Sequence, residues 1–287
     1  MTTPPHNSYA PGHDASQVKH HEWRTAENSA AYLLPHLQRA VQAKPDLQLL
    51  DVGAGSGTIS ASLAKYLLPR GHVLATDISD SILARAKAHA EAQGLGAQNI
   101  SFQKADVFHL PFADGAFDVV HAHQVLCHLS DPVDAIREML RVTRPRGGLL
   151  ALRESDMRMW CVWPEILALL KFHEVMVGTL VANGGQEKGG RQLVSWVLQA
   201  GKEVGVKRGD VEVSFGAWCY SDAGDRRAWG EAMIERLRTG QMRDKALEMS
   251  IATEEEIEGM MRGWEEWIET DDATLGIMNG EVVVRRP

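Results

Sequence analysis

The residues of this chain best suited to chemistry lie at positions 49–58, where an acid is followed by three alternating glycines. Asp51 precedes Gly53, Gly55 and Gly57. Glycines in a turn that leads from an apolar strand into a helix let backbone N–H groups approach a ligand closely. The spacing G-x-G-x-G differs from the dinucleotide fingerprint G-x-G-x-x-G. The carboxylate of Asp51 has the wrong charge for a pyrophosphate and the right charge for an ammonium group.

A second acid is placed to bind a nucleoside. Asp77 follows Gly57 by twenty positions and ends the strand pattern of residues 72–76. An acid near that separation accepts hydrogen bonds from the hydroxyls of a ribose. The expected ligand is therefore a nucleoside that carries a cation where a dinucleotide carries phosphates. S-adenosylmethionine (SAM) fits this description.

The end of the fourth strand pattern carries imidazoles and an amide. His121 and His123 alternate onto one side of the strand and Gln124 onto the other, with His128 beyond them. Ligands of doubly wound folds sit at the carboxyl ends of the strands, and histidine is the natural base near neutral pH. The three histidines are therefore candidate bases, and His123 and Gln124 are candidate contacts of cofactor or substrate. The alternative is that one histidine belongs to the core and another to the surface.

An alternation of strand and helix patterns from Leu47 onward predicts the sheet that positions these residues. The series implies a parallel, doubly wound sheet with helices on its faces. Its fifth strand is predicted at residues 148–152, and residues 17–43 carry a helical period before the first strand.

After the fifth strand the patterns change. Residues 222–270 have a helical period, and Thr253 with Glu256 matches a capping box. Strand patterns return at residues 211–215 and 280–285. We expect the helical segments to cover the sheet.

Two groups of side chains are candidates for contact with a substrate. Arg153 begins the charged run at 153–156, which either binds a polar substrate or forms a salt bridge with the cover. Four tryptophans either line an aromatic cavity or pack between cover and core; they are Trp160, Trp163, Trp218 and Trp229.

Five motifs in register resemble those of class I SAM-dependent methyltransferases, in the branch of the ubiquinone and menaquinone methyltransferases. They are L-L-D-V-G-A-G-S-G-T, A-T-D-I-S, A-D-V-F-H-L-P-F, F-D-V-V-H-A-H-Q-V-L-C-H-L and R-P-R-G-G-L-L. The resemblance implies an α/β, doubly wound, seven-stranded Rossmann-like sheet with a helical cover. It places a tail and capping helices in residues 1–46, the SAM-binding core in 47–154, and the cover with the last two strands in 155–287.

The resemblance also implies roles around the cofactor. Ala54 belongs to the SAM-binding loop, although relatives often have Cys at this position. Asp106, followed by Val107, contacts the adenine amino group, and Ile78 lies against the adenine ring. The alternatives are a turn aspartate and an ordinary core isoleucine.

In relatives the N-terminal segment folds over the SAM pocket. Arg24 would then pair with the methionine carboxylate, and Trp23 would lie beside the substrate. The alternative is a solvated helix face on which Arg24 contacts Glu27 or Asn28.

Composition narrows the class of partner. The net charge of −8 argues against nucleic acid, and the chain has no apolar run of about 20 residues that could span a membrane. Three widely spaced cysteines fit neither a disulfide framework nor a zinc site, and His20 with His21 lacks a third metal ligand. We expect a cytoplasmic protein with a small-molecule substrate and no metal. No feature of the sequence indicates a protein partner.

The segments R-T-A-E-N-S-A-A-Y-L-L-P-H-L, A-H-Q-V-L-C-H-L and R-E-S-D further resemble fungal S-methyltransferases that cap the dithiol of gliotoxin-type epipolythiodioxopiperazines. This implies S-methylation of a small, largely apolar (di)thiol. Two alternatives stay open. One is C- or O-methylation of a quinone or phenol, and the other is a SAM-binding regulatory partner without turnover.

Overall fold

The computed structural model describes residues 23–287. At its centre lies a sheet of seven strands in the order β3-β2-β1-β4-β5-β7-β6. The strands are β1 (Gln48–Val52), β2 (His72–Asp77), β3 (Ile100–Lys104), β4 (Val119–His123), β5 (Leu149–Trp163), β6 (Val211–Tyr220) and β7 (Thr274–Arg285). The first five strands run parallel, and β7 is antiparallel to both β5 and β6. The predicted α/β, doubly wound sheet is confirmed.

Helices pack on both faces of this sheet. They are α1 (Ala26–Ser29), α2 (Leu34–Ala43), α3 (Thr58–Tyr66), α4 (Asp80–Ala92), α5 (Pro132–Val142), α6 (Leu167–Ala182), α7 (Gly189–Ala200), α8 (Ala223–Thr239), α9 (Gln241–Glu248) and α10 (Glu254–Glu269). The helical period of residues 17–43 is interrupted between α1 and α2, and residues 17–22 lie outside the described part. The capping box is confirmed, because Thr253 Oγ1 accepts the N–H of Glu256 at 3.2 Å.

Three apolar clusters hold these layers together. Leu49 and Leu50 point to opposite faces of β1, and each belongs to a different cluster on the parallel part of the sheet. The third cluster packs α6, α8 and α10 on the outer halves of β5, β6 and β7, with Trp264 and Trp267 fully buried. This third cluster is the helical cover predicted from the sequence. Within residues 23–287, no helix is long and apolar enough to cross a bilayer.

Strand β5 is much longer than its sequence pattern predicted. It continues past Leu152 to Trp163, and its outer half pairs with β7 after a change of register between Ser155 and Trp160. The predicted division between residues 154 and 155 therefore falls inside one strand. The charged run at 153–156 concealed the extension, because acidic side chains are depleted in strands.

Candidate active site

A cavity of about 290 Å³ opens at the carboxyl ends of β1, β2 and β4. The strand order reverses between β1 and β4, and doubly wound folds bind ligands at such a point. The cavity brings together all but one of the residues predicted to bind the cofactor. Those that line it are Arg24, Asp51, Gly53, Ala54, Gly55, Asp77, Ile78, Asp106, Val107, His123 and Gln124.

The three glycines of the turn after β1 have separate tasks, although all have a positive φ between 55° and 73°. A Cβ on Gly53 would overlap the side chain of Val125, and one on Gly57 would lie 2.6 Å from Cβ of Ala86. Nothing lies within 4 Å of a Cβ on Gly55. Gly55 is thus the glycine open to a ligand. Gly57 does not line the cavity; it lets α3 approach α4.

Asp51 is held from two sides. Its Oδ2 accepts the hydroxyl of Ser60 at 2.5 Å, and its Oδ1 lies 2.7 Å from Nδ1 of His121. The pairing follows from register, since Asp51 of β1 lies opposite His121 of β4. His121 is fully buried and does not line the cavity, so it is a partner of Asp51 rather than a base within reach of an acceptor.

The two other acids of the cavity are fixed by backbone amides. Asp77 accepts the N–H of Gly55 and that of Ser79, both at 3.1 Å. Asp106 accepts the N–H of Phe108 at 3.0 Å. Ile78 is 40% exposed and faces the cavity, unlike an ordinary core isoleucine.

Arg24 is buried at the edge of the cavity rather than on a solvated helix face. Its Cζ lies 4.7 Å from the ring centroid of Trp218, and the side chain is 8% exposed. Trp23 packs its ring edge against Trp218 at 5.4 Å, and it is not among the residues that line the cavity. The carboxylate of Glu27 accepts the hydroxyl of Tyr66 at 2.7 Å.

The two histidines that line the cavity are poor proton acceptors. Burial lowers the pKa of His123 well below its ordinary value, and the charges of Arg24 and Arg153 lower it further. Burial also lowers the pKa of His128 to about 4, and the charges of Arg236 and Arg24 add to this effect. Both imidazoles are therefore neutral at pH 7, and both bind a proton more weakly than free histidine does.

The far half of the cavity, which we call the substrate half, lies between the outer parts of β5, β6 and β7 and the cover. It is lined by Cys127, His128, Met157, Trp160, Met176, Thr179, Leu180, Trp218, Trp229, Arg236, Met242 and Ile277. Trp160 is held in place by His173, which stacks on it at 5.2 Å, and by Trp229 at 6.0 Å. Trp163 is 55% exposed outside the cavity, and its Nε1 donates to Asp272 at 3.2 Å. Side chains an odd number of positions apart lie on opposite faces of a strand, so Trp160 and Trp163, three positions apart, point to opposite faces of β5.

The charged run at 153–156 is mostly structural. Arg153 is 2% exposed and donates from Nε to Glu281 of β7 at 3.0 Å. Of the two alternatives for this residue, the structure therefore has a salt bridge, made with the sheet rather than with the cover, and Arg153 does not line the cavity. Asp156 accepts a bidentate pair of hydrogen bonds from Nε and Nη2 of Arg191, at 2.6 and 2.7 Å. Ser155 is the member of the run that lines the cavity. These residues lie inside β5, where each charge is buried against a partner.

Glu154 belongs to the charged run at 153–156, but the sequence did not indicate its partners. Its buried carboxylate accepts three consecutive backbone amides, those of Val125 at 2.9 Å, Leu126 at 2.8 Å and Cys127 at 3.1 Å. They belong to the turn that follows β4, which carries Cys127 and His128 into the cavity. The turn begins at Gln124, whose φ of 52° is uncommon for a residue other than glycine. Burial raises the pKa of Glu154 to about 7.

Metal-binding side chains do not cluster in the described part of the chain: residues 23–287 contain no group of three His, Cys, Asp or Glu side chains that could hold an ion. His20 and His21 lie outside that part. The cysteines are free thiols, with Cys127 buried and the other two exposed.

Comparison with known proteins places this geometry in a family. Residues 43–198, more than half of the chain, match the family described as a methyltransferase domain. An uncharacterized methyltransferase of Schizosaccharomyces pombe is 30% identical over 97% of this chain and 96% of its own length. The probable methyltransferase ltbC of Aspergillus luteorubrus is 30% identical over 96% of both chains. The solved structure of the cyclase SpnF has a similar fold, with a TM-score of 0.51 and 20% identity over 93% of this chain and 84% of that one.

The strand order, the glycine turn after β1 and the acid that ends β2 define the class I methyltransferase fold. The chain belongs to the methyltransferase-domain family and is a SAM-dependent methyltransferase. The fold by itself does not determine the acceptor, since the similar fold of SpnF belongs to a protein named as a cyclase. The acceptor has to be argued from the cavity.

Proposed function

We propose that this methyltransferase transfers the methyl group of SAM to a thiol on a small, largely apolar molecule. The best candidate is a (di)thiol natural product of the gliotoxin type, from secondary metabolism. The observation that carries the proposal is the pair of cavity histidines, His123 and His128, whose lowered pKa values make them poor bases. An acceptor that ionises without help suits such a site.

The cofactor half of the cavity has the donors and acceptors that SAM requires. Asp51, oriented by Ser60 and His121, would bind the methionine ammonium group, and Arg24 would pair with the methionine carboxylate. Asp77, which lies beside the open backbone at Gly55, would accept hydrogen bonds from the ribose hydroxyls. For the adenine, Asp106 and Val107 would contact the amino group, and Ile78 would offer an apolar surface to the ring.

Replacement of Asp77 by Ala is expected to weaken SAM binding by about 1–3 kcal/mol, the worth of charge-assisted hydrogen bonds. Calorimetric titration with SAM and with its demethylated product measures this, and NAD should not bind. Asp80→Ala is the matched control, because Asp80 is 74% exposed and pairs with Lys104. Unchanged affinity in the Asp77 variant removes this residue from the ribose role.

The acceptor must become a nucleophile inside the cavity. When SAM is bound, its sulfonium supplies a methyl group for in-line displacement by that nucleophile. At pH 7, ionising a thiol of pKa about 8.5 costs about 2 kcal/mol, whereas a phenol of pKa about 10 costs about 4 kcal/mol. The methionine and tryptophan side chains of the substrate half would exclude water and hold the acceptor.

Replacing His121, His123 and His128 singly by Gln is expected to leave most of the rate with a thiol near pH 9, because the thiol is then largely ionised. The assay uses dithiols, including a reduced epipolythiodioxopiperazine, and phenols of matched size. A loss of about 10²–10⁴-fold in one variant at pH 9, with SAM affinity unchanged, would mean that a histidine acts as general base and would contradict the thiol proposal. His121→Gln is expected to act on SAM affinity instead, through Asp51.

The same assay separates the two alternatives. Transfer to a phenol oxygen or a quinone ring carbon, with no transfer to thiols, identifies a C- or O-methyltransferase. SAM binding without turnover on any acceptor points to a regulatory partner.

A further inference from the structure

We propose that the amide oxygen of Gln124 accepts a hydrogen bond from an uncharged N–H or O–H group of the methyl acceptor, and that Asn279 is the positioning residue that sets this orientation of the amide. The inference rests on the proposed function, because the acceptor is taken to bind beside SAM in the substrate half of the cavity. It adds a recognition group on the acceptor, separate from the atom that is methylated.

The orientation of the Asn279 side chain is determined by its own strand. Asn279 lies in β7 and is fully buried, and its Nδ2 donates to the backbone oxygen of Ile277 at 3.1 Å. A backbone carbonyl oxygen only accepts hydrogen bonds, so Asn279 has to turn its nitrogen towards Ile277. Its Oδ1 then points the other way and requires a donor.

That requirement in turn orients Gln124. Nε2 of Gln124 donates to Oδ1 of Asn279 at 3.1 Å. Oε1 lies on the other side of the planar amide, and no group of residues 23–287 donates a hydrogen bond to it. Gln124 is half-buried and lines the cavity. Its amide oxygen is therefore an acceptor at the cavity wall that a bound ligand has to satisfy once water is excluded.

The backbone that carries this amide is held as well. The N–H of Gln124 donates to the backbone oxygen of Arg153 at 2.8 Å, and Glu154 binds the three amides that follow. An acceptor that is oriented before the ligand arrives loses little conformational freedom on binding. Gln124 is thus suited to select between ligands rather than to adapt to each of them.

The position of Gln124 points to the acceptor rather than to SAM. Gln124 begins the turn that carries Cys127 and His128 into the substrate half, and its partner Asn279 is two positions from Ile277, which lines that half. In the proposed binding mode, the ammonium, ribose and adenine donors of SAM each have a carboxylate. They are Asp51, Asp77 and Asp106. The oxygen of Gln124 is left for a donor on the acceptor.

The charge of that donor follows from the rest of the wall. Among the described residues that line the substrate half, none is acidic. A cationic donor would lose its hydration there without gaining a counter-charge, whereas an amide N–H or a hydroxyl needs only one neutral oxygen. An apolar thiol that carries such a group fits both the wall and Gln124.

The test compares two thiols that differ in one atom, para-(mercaptomethyl)-N-methylbenzamide and methyl para-(mercaptomethyl)benzoate, together with their meta isomers. Each is titrated into the full-length protein saturated with S-adenosylhomocysteine, the demethylated product of SAM. We expect the amide of at least one isomer to bind about 5- to 100-fold more tightly than its ester, because the ester sets an oxygen against Oε1 and leaves it without a donor. Methyl transfer from SAM to the same thiols is measured in parallel.

Two variants locate the preference. Gln124→Met removes the acceptor and should remove the preference for the amide. Asn279→Leu keeps the acceptor but lets the amide of Gln124 turn, so the preference should fall while affinity for S-adenosylhomocysteine is kept. Asn99→Leu is the matched control and should keep the preference. Asn99 is also buried and bonds its own segment, through the N–H of Gly96 at 3.3 Å, but it precedes β3 at the opposite edge of the sheet.

Equal binding of amide and ester in both isomers overturns the inference, as does binding of neither. A preference that survives in Gln124→Met overturns it too. Loss of affinity for S-adenosylhomocysteine in Gln124→Met would assign the amide to the cofactor instead. A preference that persists in Asn279→Leu removes Asn279 from the positioning role, and Gln124→Met decides the rest if that variant does not fold. An amide preference in binding without transfer to any of the thiols would contradict the proposed function and leave this inference standing.

Discussion

Replacement of Arg153 by Met is expected to lower the free energy of unfolding by about 3–5 kcal/mol, the usual cost of leaving one partner of a buried ion pair without the other. Arg153 is 2% exposed, and its Nε donates to Glu281 at 3.0 Å. Glu281 is 9% exposed, and when the guanidinium is removed its remaining side-chain partner among residues 23–287 is the hydroxyl of Ser214, at 2.7 Å. The carboxylate then stays buried without a counter-charge.

Urea unfolding measures this loss. Arg227→Met is the matched control, because Arg227 pairs with Glu269 at 2.8 Å while the two side chains are 56% and 71% exposed. Such a pair contributes less than about 1 kcal/mol. The double variant Arg153→Met with Glu281→Leu should recover much of the loss, since no buried charge remains unpaired. A loss from Arg153→Met no larger than that of the control would show that the buried pair does not stabilise this sheet.

The same variant bears on the cavity. Cζ of Arg153 lies 4.5 Å from the ring centroid of Trp218, a residue that lines the substrate half. Arg153 therefore acts on the site through the wall that it supports. The sequence left open whether Arg153 contacts the substrate or forms a salt bridge, and the structure shows a salt bridge beside a residue that lines the cavity.

Much of the cofactor half could be predicted because its signals are local. The turn after β1 needs glycine at positions with positive φ, and Asp51 and Asp77 each end or nearly end a strand. Strand ends at one edge of a parallel sheet converge, so chain order alone brings such residues together. The glycine pattern did not indicate at which glycine the backbone is open, because the neighbours of Gly53 and Gly57 come from distant segments.

The hydrogen-bond partners of the site residues could not be predicted from the sequence, for a different reason. Asp51 and His121 meet because β1 and β4 pair although seventy positions separate the two residues, and no local pattern encodes that register. Glu154 reads as one member of a charged run, and its three amide partners lie in a turn of its neighbouring strand. The two tryptophans of β5 could not be assigned to faces while the strand was predicted to end at Leu152.

Glu154 should make the protein less stable as the pH rises from about 4.5 to about 7. Burial raises the pKa of its carboxyl from 4.5 to about 7, although three backbone amides and the thiol of Cys127 favour the ionised form. Because the folded state binds this proton more tightly than the unfolded state, protonated Glu154 stabilises the folded state. This stabilisation is fully present below pH 4.5 and is lost as the pH rises through 7. The difference between the two pKa values corresponds to about 3 kcal/mol.

Other carboxyl groups titrate over the same range, so the measurement is a difference between the unaltered protein and Glu154→Gln. Gln has the shape of Glu and no ionisable group, and its carbonyl oxygen can keep the amides of Val125 and Leu126. Unfolding free energies of both proteins are measured by urea titration at intervals from pH 4.5 to 8. The unaltered protein should lose about 3 kcal/mol relative to the variant between pH 4.5 and 7, with no further change above. Parallel curves for the two proteins would mean that Glu154 ionises in the folded state at its ordinary pKa, held by the amides of the turn more strongly than burial opposes it.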